Sequence, residues 1–533
     1  MSSAYDNFIK LAMKEPAQTP AAFLAVKKRI AKITGLPLPT NADIREIYND
    51  LVDSGIVKKN DNFEKILISK KSRTQSGVAV VAVLTKPYPC PGKCLYCPDE
   101  KAMPKSYLSN EPAVMRAIAA KFDPYVQVRN RIKALELNGH KADKIELIVM
   151  GGTFSYFPKK YQRWFVTRCF QACNNHSSSR RRDAVNRVST LADAQKINET
   201  AKHRVIGLTL ETRPDYIDQK EIINFRKLGC TRVELGVQSI FDDVLKINKR
   251  GHNVQKTIEA TKLLKNAGFK INYHIMPGLP GSNLKKDYQM FQELFSNPDF
   301  QPDMLKIYPT VVIKNSELYN VWEKGKYKAL TDKAFEKFII EVKKNLIPPY
   351  VRIARLVRDV PETSIVAGPK ISNLRQIISH KVACPCIRCR EVRADYKIKE
   401  KIILDRIDYD ASGGHEIFLQ YVSPDKKKLF ALLRLRINGG STSIMEVEPP
   451  RVLKNTAIIR EIHTYGQMTE IDKSNKKSPQ HIGLGKKLII EAERIARQEF
   501  GLKKIVVISG VGVRGYYRKL GYRLKDTYMV KSI

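Results

Sequence analysis

The sequence predicts an α/β protein: a partial TIM-like barrel of six β/α units, (β/α)6, followed by a smaller C-terminal α/β domain and joined to it by a cysteine-bearing linker. Three observations carry this expectation. Six short apolar or β-branched runs, at 78–84, 145–150, 205–210, 232–238, 270–276 and 304–308, alternate with helix-like segments such as 112–120 and 125–137. Such alternation calls for parallel strands joined by right-handed crossovers, with the loops gathered at the strands' C-terminal ends. After Tyr350 the composition turns basic, with Arg352, Arg355 and Arg358, and a cysteine group follows. Beyond it, antiparallel-looking runs at 417–422 and 429–436, then one at 457–465, open a new unit. The expected organisation is a basic N-terminal arm over 1–72, the barrel over 73–350, the linker over 351–410 and the second domain over 411–533.

The 533 residues suffice for two or three domains with separate cores. Lys and Arg number 94 against 54 Asp and Glu, a formal charge of +40, and this excess favours a polyanionic partner, nucleic acid first. No signal core is visible in residues 1–16, and the longest apolar run, 78–84, is too short to cross a bilayer. Six of the nine cysteines fall into two tight groups, 90/94/97 and 384/386/389, a pattern of metal binding in a reducing compartment. The expectation is a cytoplasmic protein with no membrane partner.

The first group reads Cys90-Pro-Gly-Lys-Cys94-Leu-Tyr-Cys97. Three thiolates at this spacing hold three irons of a 4Fe-4S cluster and leave the fourth open. A zinc knuckle would need a fourth ligand close by, and the next histidine is His140. The spacing resembles that of radical-SAM enzymes, in which the open iron chelates S-adenosylmethionine. Gly151-Gly152-Thr153 follows the second expected strand and suits a contact to the amino group of that cofactor; a plain turn is the alternative. Glu211-Thr212-Arg213-Pro214-Asp215 and Gly236-Val237-Gln238-Ser239 end the third and fourth strands, where polar groups point into the mouth or support its packing.

In the C-terminal domain, Gln480, Gly483, Leu484 and Gly485 form a Q-x-x-G-x-G loop at the start of a helix running to about Glu499. Its unpaired N–H groups and the helix dipole suit a pyrophosphate. The loop resembles the coenzyme-A loop of the GNAT acetyltransferases, and Tyr516 and Tyr517 lie where a phenol could meet a thioester. Cys384, Cys386 and Cys389 suit a structural zinc in the linker, with His380 or His415 as candidate fourth ligand; metal-free cysteines are the alternative. Basic residues flanked by aromatics at 314–327 and 352–358 suit a phosphate backbone.

Longer strings carry a more specific resemblance: Arg73-Thr74-Gln75-Ser76-Gly77-Val78-Ala79-Val80, Met115-Arg116-Ala117-Ile118, Ile148-Val149-Met150-Gly151-Gly152-Thr153-Phe154, Glu211-Thr212-Arg213-Pro214-Asp215-Tyr216, Gly236-Val237-Gln238-Ser239 and Ile508-Ser509-Gly510-Val511-Gly512. From about Arg73 to Lys531 the chain resembles the catalytic subunit of Elongator, a tRNA wobble-uridine carboxymethyltransferase family. The resemblance implies that a deoxyadenosyl radical takes a methyl hydrogen from acetyl-CoA, and that the resulting carbon radical adds to C5 of the wobble uridine. Thioester hydrolysis would leave 5-carboxymethyluridine. It further implies Cys90, Cys94 and Cys97 as cluster ligands, and Lys144, Glu461, Ile462, His463, Thr464, Leu484, Gly485, Lys486, Lys487 and Tyr517 as acetyl-CoA contacts. Lys144, Tyr516 and Tyr517 are the candidate catalytic side chains, and the anticodon stem-loop of tRNA is the partner, with self-association left open. The three-residue insert between Cys90 and Cys94 resembles prokaryotic-type members, so a stand-alone enzyme is expected.

Three rival readings make different predictions. A protein-lysine acetyltransferase with a structural iron-sulfur cluster would acetylate peptides without S-adenosylmethionine or reductant. A tRNA-binding scaffold would neither split S-adenosylmethionine nor hydrolyse acetyl-CoA. A radical methylthiotransferase should carry further cysteines ahead of the radical motif, and none precedes Cys90.

Overall fold

The computed structural model describes residues 2–15, 17–69, 77–175, 190–393, 396, 400–439, 450–466 and 483–533. Gln480, the string 73–76 and the serine- and arginine-rich stretch 177–182 lie outside them. Seven strands form one parallel sheet in chain order: β1 (Ala79–Leu84), β2 (Lys144–Met150), β3 (Arg204–Thr212), β4 (Arg232–Gln238), β5 (Lys270–Ile275), β6 (Met304–Ile307) and β7 (Arg352–Arg355). The sheet runs from β1 at one edge to β7 at the other without closing. Successive side chains alternate between its faces. Ala79, Val81 and Val83 on β1 and Ile145, Leu147 and Val149 on β2 are buried in one core with Val128 and Ile132 of α6 (Pro124–Leu137), the helix after α5 (Pro112–Ala119), and with Phe165 and Val166 of α7 (Lys159–Asn174). Truncating a fully buried ring such as Phe165 to alanine costs about 3–5 kcal/mol.

The barrel expectation of six strands is corrected to seven. Residues 352–355, expected in the linker, form the last strand and pair with β6. Their arginines hid it: Ile353 is buried on the helical side, whereas Arg352 meets Glu391 and Tyr465 on the other.

The second sheet contains β8 (Ile403–Ala411), β9 (Gly414–Val422), β10 (Leu429–Asn438), β11 (Ala457–Thr464), β12 (Lys504–Val507), β13 (Arg523–Lys525) and β14 (Tyr528–Ser532), in the order β13-β14-β12-β11-β10-β9-β8. It begins at Ile403, inside the segment expected to be linker. β11 and β12 are parallel and every other neighbouring pair is antiparallel. The helix Leu484–Gln498 buries Leu484, Leu488, Ala492, Ile495 and Ala496 on this sheet, the face expected from their spacing.

This second unit seats against the N-terminal ends of the barrel strands. Gly510 and Gly512 allow it, because a Cβ at Gly510 would lie 2.0 Å from the Ile206 carbonyl oxygen and one at Gly512 would lie 2.6 Å from Arg204 Cβ. Buried charges lock the junction: Arg460 donates to both Asp303 carboxylate oxygens and to the Phe269 carbonyl, and Arg434 donates to the Tyr350 carbonyl. Removing one partner from such a buried set costs about 3–5 kcal/mol, since the other charge is stranded. The N-terminal helices α1 (Ser2–Lys14), α2 (Pro20–Thr34), α3 (Asn41–Asp53) and α4 (Asp61–Ile66) enclose a core of their own around Phe8, Phe23, Tyr48 and Phe63. Among the described residues, no helix is long and apolar enough to cross a membrane.

Candidate active site

The loop after β1 carries Cys90, Cys94 and Cys97 to the C-terminal mouth of the barrel. Backbone bonds fix it: Leu95 N–H to Asn248 O at 3.1 Å, Asp99 N–H to Asn315 O at 2.7 Å, and Leu318 N–H to Leu95 O at 2.8 Å. Two arginines stand behind it. Arg250 donates to Cys94 Sγ at 3.2 Å and to the Gly236 carbonyl. Arg213, braced by a two-point bond to Asp215, directs its buried Nη1 at Gly92, and that nitrogen has no hydrogen-bond partner among the described residues. A Cβ on Gly92 would stand 2.3 Å from it. Burial raises the Cys94 pKa, but Arg250 and then Arg213 outweigh it and leave it below the ordinary thiol value. Cys97 lies deeper, and burial together with its sister thiols pushes it up to about 12.

Gly151, Gly152 and Thr153 follow β2, the strand paired with β1, and so stand beside the loop, with Thr153 Oγ1 4.0 Å from Cys90 Sγ. Gly151 has φ 132°, and a Cβ there would meet Thr85 Oγ1 at 1.9 Å. No other residue fits that close approach. The structure thus brings together the cysteine loop, the glycine pair and the Arg213 string that the sequence singled out.

The face of the sheet away from the helices is charged along its length. Arg232 on β4 reaches Glu146 on β2 at 2.5 Å. Glu234 accepts from His274 Nε2 at 3.0 Å, from Asn272 at 3.1 Å and from Lys306. His274 Nδ1 lies 3.7 Å from Glu211, which accepts from the Tyr107 hydroxyl at 2.9 Å. Burial alone would raise the Glu234 pKa, but Lys306 and His274 hold it well below the carboxylate range. Sequence reasoning missed Glu146, Arg232, Glu234, His274 and Lys306. Their signal was a charged or imidazole side chain inside an otherwise apolar strand, always on the face opposite the helices.

This lining continues to the N-terminal ends of the strands, where the second sheet meets the barrel. Lys144 begins β2, about 23 Å below Gly151 at about 3.3 Å per residue. It is half-buried, and burial lowers its pKa with partial opposition from Asp143. Lys270 on β5 bonds to Glu461 at 3.1 Å, and Arg434 donates to the same carboxylate at 2.9 Å. Burial would raise Glu461, but Lys270, Arg434 and His463 drive it far down. His463 also lowers Glu146, after Arg232, Lys270 and Arg352 have done most to offset its burial. Lys144, on the same face of β2 as Glu146, and Glu461 and His463, remote in sequence, therefore lie at the N-terminal end of one row of charged side chains that runs along this face.

β11 has a register shift opposite Arg434/Leu435, and its parallel pairing with β12 covers only Ala457, Ile458 and Ile459. The strands part beyond that point. Glu461, Ile462, His463 and Thr464 lie in the parted stretch, and the helix Leu484–Gln498 starts beside it. A Cβ on Gly485 would lie 3.4 Å from Tyr516 Oη, 3.7 Å from Ile462 Cδ1 and 3.7 Å from Thr464 Cγ2. Tyr516 is 42% exposed there, whereas Tyr517 is packed in the core against Tyr522. Gly483 caps the helix at φ 79° and, among the described residues, no side chain caps that end, so the N–H groups of Leu484, Gly485 and Lys486 have no partner within the helix. Lys487 donates its N–H to the Gly483 carbonyl.

The sulfurs of Cys384, Cys386 and Cys389 lie within 4.8 Å of one another, the one such donor group among the described residues. Tetrahedral zinc with 2.3 Å bonds spaces its sulfurs by about 3.8 Å, so this set fits such an ion and the wider-set 90/94/97 loop fits a cluster. Neither candidate histidine joins the group: His415 bonds to Asp410 at 2.9 Å on β8–β9, and His380 is exposed. Lys343 reaches Cys389 Sγ at 3.7 Å instead.

The Radical SAM superfamily matches residues 88–294, and the Radical_SAM C-terminal domain matches residues 302–383. The tRNA uridine(34) acetyltransferase of Methanocaldococcus infernus is 48% identical over 95% of this chain and 96% of its own. Human Elongator complex protein 3 is 40% identical over 88% of each chain. The chain belongs to the Elongator complex protein 3 family. A solved archaeal member of that family, Methanocaldococcus infernus Elp3 lacking residues 1–46, superposes with a TM-score of 0.71 at 45% identity, covering 86% of this chain and all of the other. As in the radical-SAM superfamily at large, the barrel of this Elongator-family chain implies a 4Fe-4S cluster and S-adenosylmethionine. The donor set at Cys90, Cys94 and Cys97, backed by an unpartnered guanidinium nitrogen, fits that anionic group.

Proposed function

We propose that this protein modifies the wobble uridine of tRNA, forming 5-carboxymethyluridine from acetyl-CoA by a radical S-adenosylmethionine mechanism. The observation that supports this reading most is the row of charged side chains that runs from Glu211 and His274 at the mouth through Glu234, Arg232 and Glu146 towards Lys270 and Glu461 at the other end of the strands. Relatives named tRNA uridine(34) acetyltransferase supply the substrate. With its cluster in place, S-adenosylmethionine supplies a deoxyadenosyl radical able to take hydrogen from an unactivated methyl group.

The chain's own residues do the rest. Cys90, Cys94 and Cys97 hold the cluster, and Arg213 and Arg250 balance its charge. Gly151, Gly152 and Thr153 orient the methionine end of the cofactor. Acetyl-CoA enters from the second sheet, which serves as a GNAT domain: N–H groups at Leu484, Gly485 and Lys486 cradle the pyrophosphate, and the gap between β11 and β12 admits the pantetheine as an added strand. Tyr516 meets the thioester, Tyr517 supports it from the core, and Lys144 and Lys270 receive the acetyl end at the N-terminal end of the strands, from where the acyl group travels along the charged row to meet the radical at the mouth. The acetyl carbon radical would add to uridine C5, the adduct would lose the C5 proton and pass one electron to an acceptor, the oxidised cluster being the one at hand, and water would cleave the thioester and release coenzyme A. Cys384, Cys386 and Cys389 hold a structural zinc, the four N-terminal helices bind tRNA, and the protein works in the cytoplasm.

Anaerobic incubation of reconstituted protein with tRNA, acetyl-CoA, S-adenosylmethionine and dithionite, followed by nucleoside mass spectrometry, tests this. Carboxymethyluridine is the expected product. Its absence with the cluster intact rejects the proposal.

A further inference from the structure

Beside the barrel mouth, six aromatic rings form an unbroken chain that the proposed chemistry leaves without a role. Trp164 tilts against Tyr161 at 5.5 Å; Tyr161 stacks on Phe157 at 4.7 Å and 22°; Phe157 stacks on Tyr88 at 4.5 Å and 26°. Tyr88 meets Tyr156 edge-on at 6.0 Å, and Tyr156 meets Tyr216 edge-on at 5.7 Å. Phe157 is buried and Tyr88, Tyr161 and Tyr216 are half-buried, but Trp164 is 45% exposed and Tyr156 40% exposed. Large rings left in water beside a packed row are poorly explained by core packing alone.

We propose that this row is a stacking platform for single-stranded RNA, guiding the nucleotides that flank the target base to the cysteine loop. The inference rests on the reading of RNA as substrate and adds where its unpaired bases lie. Three features select this occupant. Cations are interleaved with the rings: Lys86 Nζ sits 5.1 Å over Tyr161, and Lys160, Arg163 and Trp164 share one exposed face of α7 at the i, i+3, i+4 spacing. A hollow of about 420 Å³, wide enough for a nucleobase, opens between Trp164, Tyr161, Phe122, Lys86 and Lys121. Its one carboxylate, Asp123, is engaged in capping α6 through the Val126 N–H. The row also ends at the chemistry, since Tyr88 is two residues from Cys90 and Tyr156 three from Thr153. Ring faces reward bases whose own faces are free, as in a loop, and bind any sequence; a paired duplex hides those faces.

The chain has two tryptophans, so Trp322→Phe leaves Trp164 as the sole fluorescent reporter. Full-length protein is titrated with an RNA stem-loop bearing an anticodon-type loop and with a blunt RNA duplex of equal charge, without S-adenosylmethionine or acetyl-CoA. The stem-loop is expected to quench Trp164. Tyr156→Ala and Trp164→Ala should each weaken stem-loop binding about tenfold to a hundredfold, with duplex binding changed less than about twofold and Trp164→Phe close to the parent. Stem-loop binding without quenching, alanine variants within about twofold of the parent, or equal losses for duplex and stem-loop would overturn the platform. Because no chemistry is needed, these results stand apart from the product assay: quenching with no carboxymethyluridine rejects only the reaction, and product without quenching rejects only the platform.

Discussion

The two cysteine triads use the same ligand type at similar spacing, yet their surroundings differ at every level. Cys90, Cys94 and Cys97 sit on a loop at the end of a barrel strand, with Arg250 bonded to Cys94 and Arg213 aimed at Gly92. Cys384, Cys386 and Cys389 close to within 4.8 Å of one another beside Lys343, between the last barrel strand and the first strand of the second sheet. Wide spacing, cationic support and an open mouth suit a reactive cofactor. Tight closure between two units suits a clamp. Spacing in sequence tells how many thiols a loop offers; the charges around them tell what those thiols are for.

Substitutions should separate the two sites by the kind of damage as well as its size. Cys94→Ala should abolish carboxymethyluridine formation, more than about a thousandfold, and remove iron-sulfur absorbance while tRNA affinity is kept. Loss of tRNA binding as well would make the loop a folding element. Arg250→Met should lower cluster retention about tenfold to a hundredfold, as the loss of an outer partner does at metal sites, with Arg250→Lys recovering part of it; iron content per chain is the measurement. Cys386→Ala should act on stability instead: about 2 kcal/mol or more, a fall of roughly 4–8 °C in Tm, with zinc content lost and cluster absorbance unchanged. An equal loss of cluster would erase the distinction between the sites. Lys343→Met should be the mildest, under about 1 kcal/mol in thermal unfolding, since its contact to Cys389 is long.

The sequence was legible where local pattern and final environment agree. Val81, Val83, Leu147 and Val149 face helices and look like strand residues, and the cysteine loop advertises its chemistry by spacing alone. β7 escaped because Arg352 and Arg355 look like linker residues until Glu391, Tyr465 and Asp359 are placed beside them. β8 escaped for a related reason: Asp405, Arg406, Asp408 and Asp410 mask a period-two edge strand. The chain Glu211–His274–Glu234–Lys306 has no local motif, since its members come from four strands and meet only when the sheet curls.

The seven-stranded sheet ends at β1 and β7 with no strand between them, among the described residues, to complete the ring. A closed barrel admits what can be lowered through its rim, whereas an incomplete one has a side door. A nucleotide still tethered at both ends to a polynucleotide cannot be threaded like a free metabolite, and a lateral opening spares it that. Near the mouth loop contacts bridge that opening: Arg358, past β7, donates to the Ser106 carbonyl and to Glu111, past β1, so lateral entry parts those loop contacts while the sheet's own hydrogen bonds, and the rigidity that aligns the reacting groups, stay intact.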